Sequence, residues 1–380
     1  MSKLKAILFE TAILLLITVQ LSACSSISPV ILGFSADLTG KQSEPSLNLR
    51  DGVQMAVDDI NASGGINGRQ IKLLVEDDMG TPDGARAAEK KLADSGVVAV
   101  IGHYTSDQTL AGLEVSSSKG ILMLSATAST SVLTGKKDLF FRTVASTQSL
   151  GQGFAQYVCQ TLGVPSIAII YDRDNASYSM PMMEAFTDKF STFGCKVYSQ
   201  VEFSSTTSPD FSPLVDKLIT PKPDAVFIIA SPADAAVIAQ IINLKHSDVR
   251  KFASSTAQSN ILIQNGGKTV EGMEIIIAFD VNNPSSALQE FKSNFQKRYA
   301  VAPIFSAMEG YETMQMLAAA LKKTGGESKG LSDALLSLND FQGLTGSIRL
   351  DQYGDAIRPL YILRVNQGHF ETVKTLNFTN

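Results

Sequence analysis

Two short stretches place hydroxyl-bearing side chains densely enough to bind something: His103-Tyr104-Thr105-Ser106-Asp107-Gln108 and Ser125-Ala126-Thr127-Ala128-Ser129-Thr130-Ser131. Each follows a short apolar run and leads into a helical pattern. The first turn of a helix leaves backbone N–H groups unpaired at the positive end of its dipole, and hydroxyls beside them complete a cradle for a carboxylate. The simpler role for Ser106 or Ser129 is to cap its helix. Tyr104 can wall such a pocket. Further along, Tyr178 sits in Asp174-Asn175-Ala176-Ser177-Tyr178-Ser179, Ser231-Pro232-Ala233-Asp234 opens another helix, and Thr256 follows a later apolar run. Asp234 at the third helical position suits dipole compensation as well as ligand contact.

Catalytic chemistry finds no footing in these patterns. Gly64-Gly65-Ile66-Asn67-Gly68 follows a helix and is a turn rather than a dinucleotide loop, and Gly267-Lys268-Thr269 has Leu262 where a phosphate loop needs glycine. His103, His246 and His369 lie in separate segments with no zinc spacing, and His103 reads better as a structural histidine at a strand end. No enzyme, metal or cofactor is expected. A net charge of −5, with no basic run, also removes nucleic acid as a partner.

The elements that position these loops repeat one unit, an apolar run followed by an amphipathic stretch and a turn. Strands are expected at 30–34, 71–76, 97–101 and 121–124, with a helix over 52–61 and another opened by Thr81-Pro82. A second series follows at 167–171, 196–203, 225–230, 250–254 and 273–279, then helices over 287–299, 307–323 and 331–338. The tail, 346–350 and 359–366, reads as antiparallel strands around Asp351-Gln352-Tyr353-Gly354-Asp355. The fold class is therefore α/β with parallel sheets, and 380 residues accommodate two lobes.

At the start, Lys3 and Lys5 precede an apolar stretch from Thr11 to Val19, too short to span a bilayer, followed by Leu21-Ser22-Ala23-Cys24. This resembles the lipobox of bacterial lipoproteins, which makes 1–23 an export signal and Cys24 the lipidation site, with the mature chain tied to a membrane. Cys159 and Cys195 remain, free to pair outside the cytoplasm or to stay as two buried thiols.

The mature chain resembles type I periplasmic binding proteins, specifically the leucine/isoleucine/valine-binding branch of ABC importers. The resemblance rests on Leu38-Thr39-Gly40 with Gly52 downstream, Asp58 through Gly68, Glu76-Asp77-Asp78, Val100-Ile101-Gly102-His103, Gly120 through Ser125, Gly310-Tyr311 and the tail from Gly346 to Gly368, nearly all of 29–375 in order. It implies two Rossmann-like lobes, the first from 29–142 and 280–350, the second from 143–279 and 351–380. Three hinge crossovers, near Phe141–Val144, Ala278–Val281 and Leu350–Gln352, would let the lobes close on a small-molecule ligand for delivery to an ABC permease, or let the same lobes sense the ligand for a signalling partner. By the same resemblance Ser106 and Ser129 take the ligand carboxylate, the Thr127 carbonyl takes its ammonium, Tyr178 lies close to the position of a family tyrosine that covers the ligand, and Ser231 stands where many relatives place an aromatic; Tyr104, Thr105, Asp234 and Thr256 are the further candidates at the cleft. One departure stands out. Relatives carry a Glu near Ser255-Thr256 to pair with the ammonium, and none occurs from Lys251 through Thr269. Either Glu44, Asp234 or Asp280 supplies that charge, or the ligand is an amine-free carboxylate.

Overall fold

The computed structural model describes residues 28–376 apart from 208, 246 and 247; the export signal, Cys24 and His246 lie outside the described residues. The first lobe alternates β1 (Val30–Ala36), α1 (Ser43–Ala62), β2 (Ile71–Asp77), α2 (Pro82–Asp94), β3 (Ala99–Gly102), α3 (Ser106–Ser118), β4 (Leu122–Ser125) and β5 (Phe140–Arg142). Its five strands run in the order β2-β1-β3-β4-β5, all parallel. The inner strands β1, β3 and β4 are buried and mostly apolar because both sheet faces are covered, whereas the edge strand β2 carries exposed Lys72 and Val75. Val30, Leu32 and Phe34 point towards α1, while Ile31 meets the layer that contains Leu92 of α2. The Thr81 hydroxyl accepts from Gly84 N at 3.0 Å and caps α2 as its sequence implies.

The second lobe repeats the plan with α4 (Thr147–Gln156), β6 (Ser166–Asp172), α5 (Ala176–Thr192), β7 (Lys196–Phe203), α6 (Phe211–Ile219), β8 (Ala225–Ile229), α7 (Pro232–Leu244), β9 (Arg250–Ala253), α8 (Asn260–Gly266) and β10 (Glu274–Ile277). The parallel core runs β7-β6-β8-β9-β10, the same winding as the first lobe, so each sheet has its topological switch point beside its first strand. Cys159 and Cys195 form a disulfide, with Cα atoms 6.3 Å apart, that ties the segment after α4 to the start of β7.

The chain then returns. Helices α9 (Ser286–Tyr299), α10 (Phe305–Thr324) and α11 (Leu331–Leu336) follow, and α10 lays Met314, Leu317 and Leu321 into the first lobe's core. The tail departs from the expected pairing. Strands β11 (Phe341–Gln342), β12 (Ser347–Leu350) and β13 (Ala356–Ile357) form a small sheet, whereas β14 (Leu360–Asn366) pairs antiparallel with β10 and with β15 (His369–Leu376). Arg142 N donates to Gly354 O at 3.0 Å, and the buried Arg142 guanidinium pairs with Asp355 at 2.7 Å. These contacts hold 351–355 against the first lobe's edge, so the third passage between sheets falls at Arg358–Leu360 rather than at Leu350–Gln352. The other two passages follow β5 and β10.

Candidate functional site

The C-terminal edges of both parallel sheets face each other, and at a switch point that edge opens a crevice. From the first lobe, the loop after β3 brings Tyr104, Thr105 and Ser106, and the loop after β4 brings Thr127; from the second come Asn175, Tyr178, Ser255 and Thr256. Val144, Leu150, Ile277, Ala278 and Phe305 supply apolar wall. The cavity they enclose measures ≈ 20 Å³, so the lobes are drawn closely together.

The hydroxyls of Thr105 and Ser106 are not engaged in capping. Thr105 is the N-cap of α3, yet its side chain makes no capping hydrogen bond, and the Ser106 hydroxyl, on a residue 1% exposed, also has no partner among the described residues. Buried hydroxyls are rarely left unpaired, so a pair of them at a helix N-terminus, facing a cavity, is a ready acceptor site for an anion. Thr127 is locked differently: its Oγ1 donates to Tyr104 O at 2.7 Å and joins the two loops.

His103 organises this wall without reaching the cavity. It is fully buried, with Nδ1 2.6 Å from Asp78 and Nε2 3.3 Å from Glu89. Burial alone would lower its pKa, but the two carboxylates outweigh that and hold it up at about 9, so the ring is an imidazolium. Its carbonyl accepts from Ser125 Oγ at 3.2 Å and Thr127 Oγ1 at 3.4 Å. Asp37, Asp77 and Asp78 cluster nearby with oxygens within 4.8 Å of one another. Their oxygens already accept from Gly40, Gln42, Leu38, Met79 and Gly80 backbone N–H groups and from His103, which makes them loop ties.

In the second lobe the Tyr178 hydroxyl lies 3.1 Å from Ser255 Oγ, and Thr256 Oγ1 donates to Ala230 O at 3.0 Å. Asp234 lies outside the main cavity's lining, while Ser231 lines an adjoining pocket together with Asn175, Tyr178 and Thr256. Ser231 Oγ accepts from Asp234 N at 3.2 Å and donates to Asp234 Oδ2 at 2.8 Å, a closed cap for α7. Ser129 is also outside the lining; its carbonyl accepts from Thr147 N at 2.5 Å, across the first interlobe passage.

One lining residue has no counterpart among the expected site residues. Glu309, in the second turn of α10, is 1% exposed, lines the same cavity, and neither carboxylate oxygen has a hydrogen-bond partner among the described residues. Burial pushes its carboxyl up to about 8, against an opposing effect of Arg358. The sequence signal was an acid on the buried face of a helix: Glu309 falls four residues after Phe305 and seven before Met316, both in the core.

Such a crevice between two equally wound sheets, floored by helix N-termini, has known relatives. A family model described as periplasmic binding protein matches residues 29–369. The chain belongs to the periplasmic binding protein family. This periplasmic binding protein is thus a solute receptor of the exported compartment and not an enzyme. It is 27% identical over 353 residues to Leu/Ile/Val-binding protein homolog 1 of Brucella suis, covering 89% of this chain and 91% of the relative. Among solved structures, a leucine-binding protein of Thermotoga maritima superposes with a TM-score of 0.85 at 22% identity, covering 92% of this binding protein and 99% of that one. A solute-binding protein of an ABC transporter from R. palustris, in complex with benzoate, superposes at 0.83 with 18% identity and coverage of 91% and 96%.

Proposed function

We propose that the protein is the receptor of an ABC importer that captures an amino acid, branched-chain or related, between its two lobes and is held at the membrane through lipidated Cys24. The observation that carries this reading is the pair of unpartnered hydroxyls, Thr105 and Ser106, at the N-terminus of α3 within the interlobe cavity. They suit the carboxylate that every ligand of this class bears, and the apolar wall of Leu150, Ile277 and Phe305 suits an aliphatic side chain. The names of the Brucella and Thermotoga relatives support the amino-acid class. The benzoate complex supports a second reading, an amine-free carboxylate, which the lack of an acid at Ser255-Thr256 also favours.

Calorimetry with leucine, isoleucine, valine and phenylalanine, their amine-free analogues and their amides separates these. Amino acids are expected to bind and amides to fail. Ser106→Ala should cost about 1 to 3 kcal/mol, the range for leaving one side of a buried charged hydrogen bond unmet, or roughly tenfold and more in affinity. Ser129→Ala should cost less, because Ser129 lies outside the cavity lining. Equal binding of the amides would overturn the carboxylate site. For the anchor, Cys24→Ala is expected to move the protein from the membrane to the soluble fraction, since two buried acyl signals are what make such attachment stable; retention of the variant through a high-salt wash would remove the lipoprotein claim.

A further inference from the structure

We propose that Glu309 is the acidic partner of a protonated amine on the ligand, so that the first lobe alone holds both charged ends of the solute. This rests on the reading of the cleft as a carboxylate-binding receptor site and names what the second charge meets.

Three observations carry it. Glu309 is buried in the wall of the same cavity as Thr105, Ser106 and Thr127, and both of its oxygens lack partners among the described residues. The groups that could have neutralised it are engaged elsewhere. Arg358 pairs with Glu312 at 3.4 Å and donates to Thr143 O at 3.0 Å, while Glu312 also accepts from Leu344 N. Among the described residues no Lys or Arg lines the cavity. Lastly, among the described residues the polar groups on the facing wall of the second lobe are all neutral, Asn175, Tyr178, Ser255 and Thr256. A carboxylate closed off from water without a counter-charge is costly, and the ways to relieve that cost are a proton or a cation.

The proton fills the role in the empty protein. The titratable groups facing Glu309 are Arg358 on the third passage, Glu312 on its own helix and the Tyr104 phenol of the β3 loop; Tyr178 and Glu44 in turn face Tyr104. With burial pushing Glu309 up to about 8, it is largely neutral at pH 7. An ammonium arriving beside it favours the ionised form, so binding releases the proton to solvent, and affinity rises with pH until about 8.

The amine can be the α-amine of an amino acid or an amine at the far end of a carboxylate-bearing chain. Calorimetry is therefore run with leucine against 4-methylpentanoate, and with 4-aminobutanoate against butanoate, in wild type and Glu309→Gln, at pH 6, 7 and 8 and in buffers of different ionisation enthalpy. The expected result is that one amine-bearing ligand binds at least tenfold tighter than its amine-free analogue, that Glu309→Gln abolishes this preference without weakening the analogue, and that wild type releases close to one proton per ligand at pH 7 while the variant releases none. Circular dichroism and thermal melting should show Glu309→Gln folded and no less stable, because a neutral amide replaces a buried acid. If Glu309→Gln keeps full affinity for the amine-bearing ligand with the same pH profile, the proposal falls while the amino-acid reading stands. If only amine-free carboxylates bind, and Ser106→Ala still weakens them, the proposal and the amino-acid reading both fall while the carboxylate site survives.

Discussion

A histidine enclosed by Asp78 and Glu89, with no exposure to water, trades its own desolvation for the neutralisation of two buried carboxylates. His103 therefore matters to the site through its charge and its carbonyl, although it touches no ligand-facing space. Because folding raises its pKa from the usual 6.5 to about 9, the stability it contributes is complete below about 6.5 and is lost as pH rises from there through 9. His103→Gln is expected to cost about 3 to 5 kcal/mol at neutral pH, the range for removing one partner from a buried charge cluster. The test is thermal or denaturant unfolding from pH 6 to 9: wild type should lose stability across that window and the variant should not. Parallel curves for the two proteins would mean that the ring is neutral when folded. Ser106 makes the complementary point. Sequence pattern alone favours capping, whereas in the fold Thr105 is the N-cap and the Ser106 hydroxyl has no partner among the described residues.

Among the elements, α1 and α10 determine where Glu309 sits. They cross closely enough that a Cβ on Gly52 would lie 1.9 Å from the Ala307 carbonyl oxygen, and one on Gly310 would lie 2.5 Å from the Leu49 carbonyl oxygen. Both positions need glycine for backbone contact, which presses the Phe305 end of α10 into the cleft and brings Glu309 with it. The strands were legible because parallel strands buried on both faces read as unbroken apolar runs, as in Ile167-Ala168-Ile169-Ile170. The α1 start was not. Periodicity points to residue 52, yet the helix begins at Ser43, because Ser46 and Asn48 are buried against the start of α10, where Asn48 Oδ1 accepts from Ile304 N at 3.4 Å. Polar residues carry no hydrophobic signal even where the fold buries them. The same reason hid Glu309, and the β10–β14 pairing was hidden because partners some ninety residues apart leave no local pattern, as with Glu274 and Arg364.

At the scale of the molecule, Arg358 joins the three interlobe passages. Itself on the third, it donates to Thr143 O of the first at 3.0 Å and stacks 5.4 Å from the Phe279 ring of the second. Opposite this hinge, contacts tie the lobes shut: Lys41 Nζ donates to Ser205 O and Ser259 Oγ to Glu44, while Lys41 lies 4.0 Å from Asp234. Between them the N-termini of α3 and α5 meet head to head. Asp107 Oδ1 accepts from Ser177 N at 3.3 Å, and Asp107 N donates to Asn175 Oδ1 at 3.4 Å. Two positive helix ends repel, and the Asp107 carboxylate placed between them offsets that repulsion. It also lies in the helix turn expected to receive the ligand carboxylate, which it would repel, so its two effects on affinity have opposite signs. Closure should dominate, because the cavity of ≈ 20 Å³ must open to admit a solute and the Asp107 contacts form only when it shuts again. Asp107→Ala is then expected to weaken ligand binding roughly two- to tenfold, the equivalent of about 0.5 to 1.5 kcal/mol for a net hydrogen bond, through faster dissociation with little change in association. Small-angle scattering should show the variant more extended than wild type. Asp107→Asn, which keeps an acceptor and removes the charge, separates the two effects: if repulsion of the ligand governs, both variants bind tighter, whereas if closure governs, Asp107→Ala weakens binding more than Asp107→Asn does.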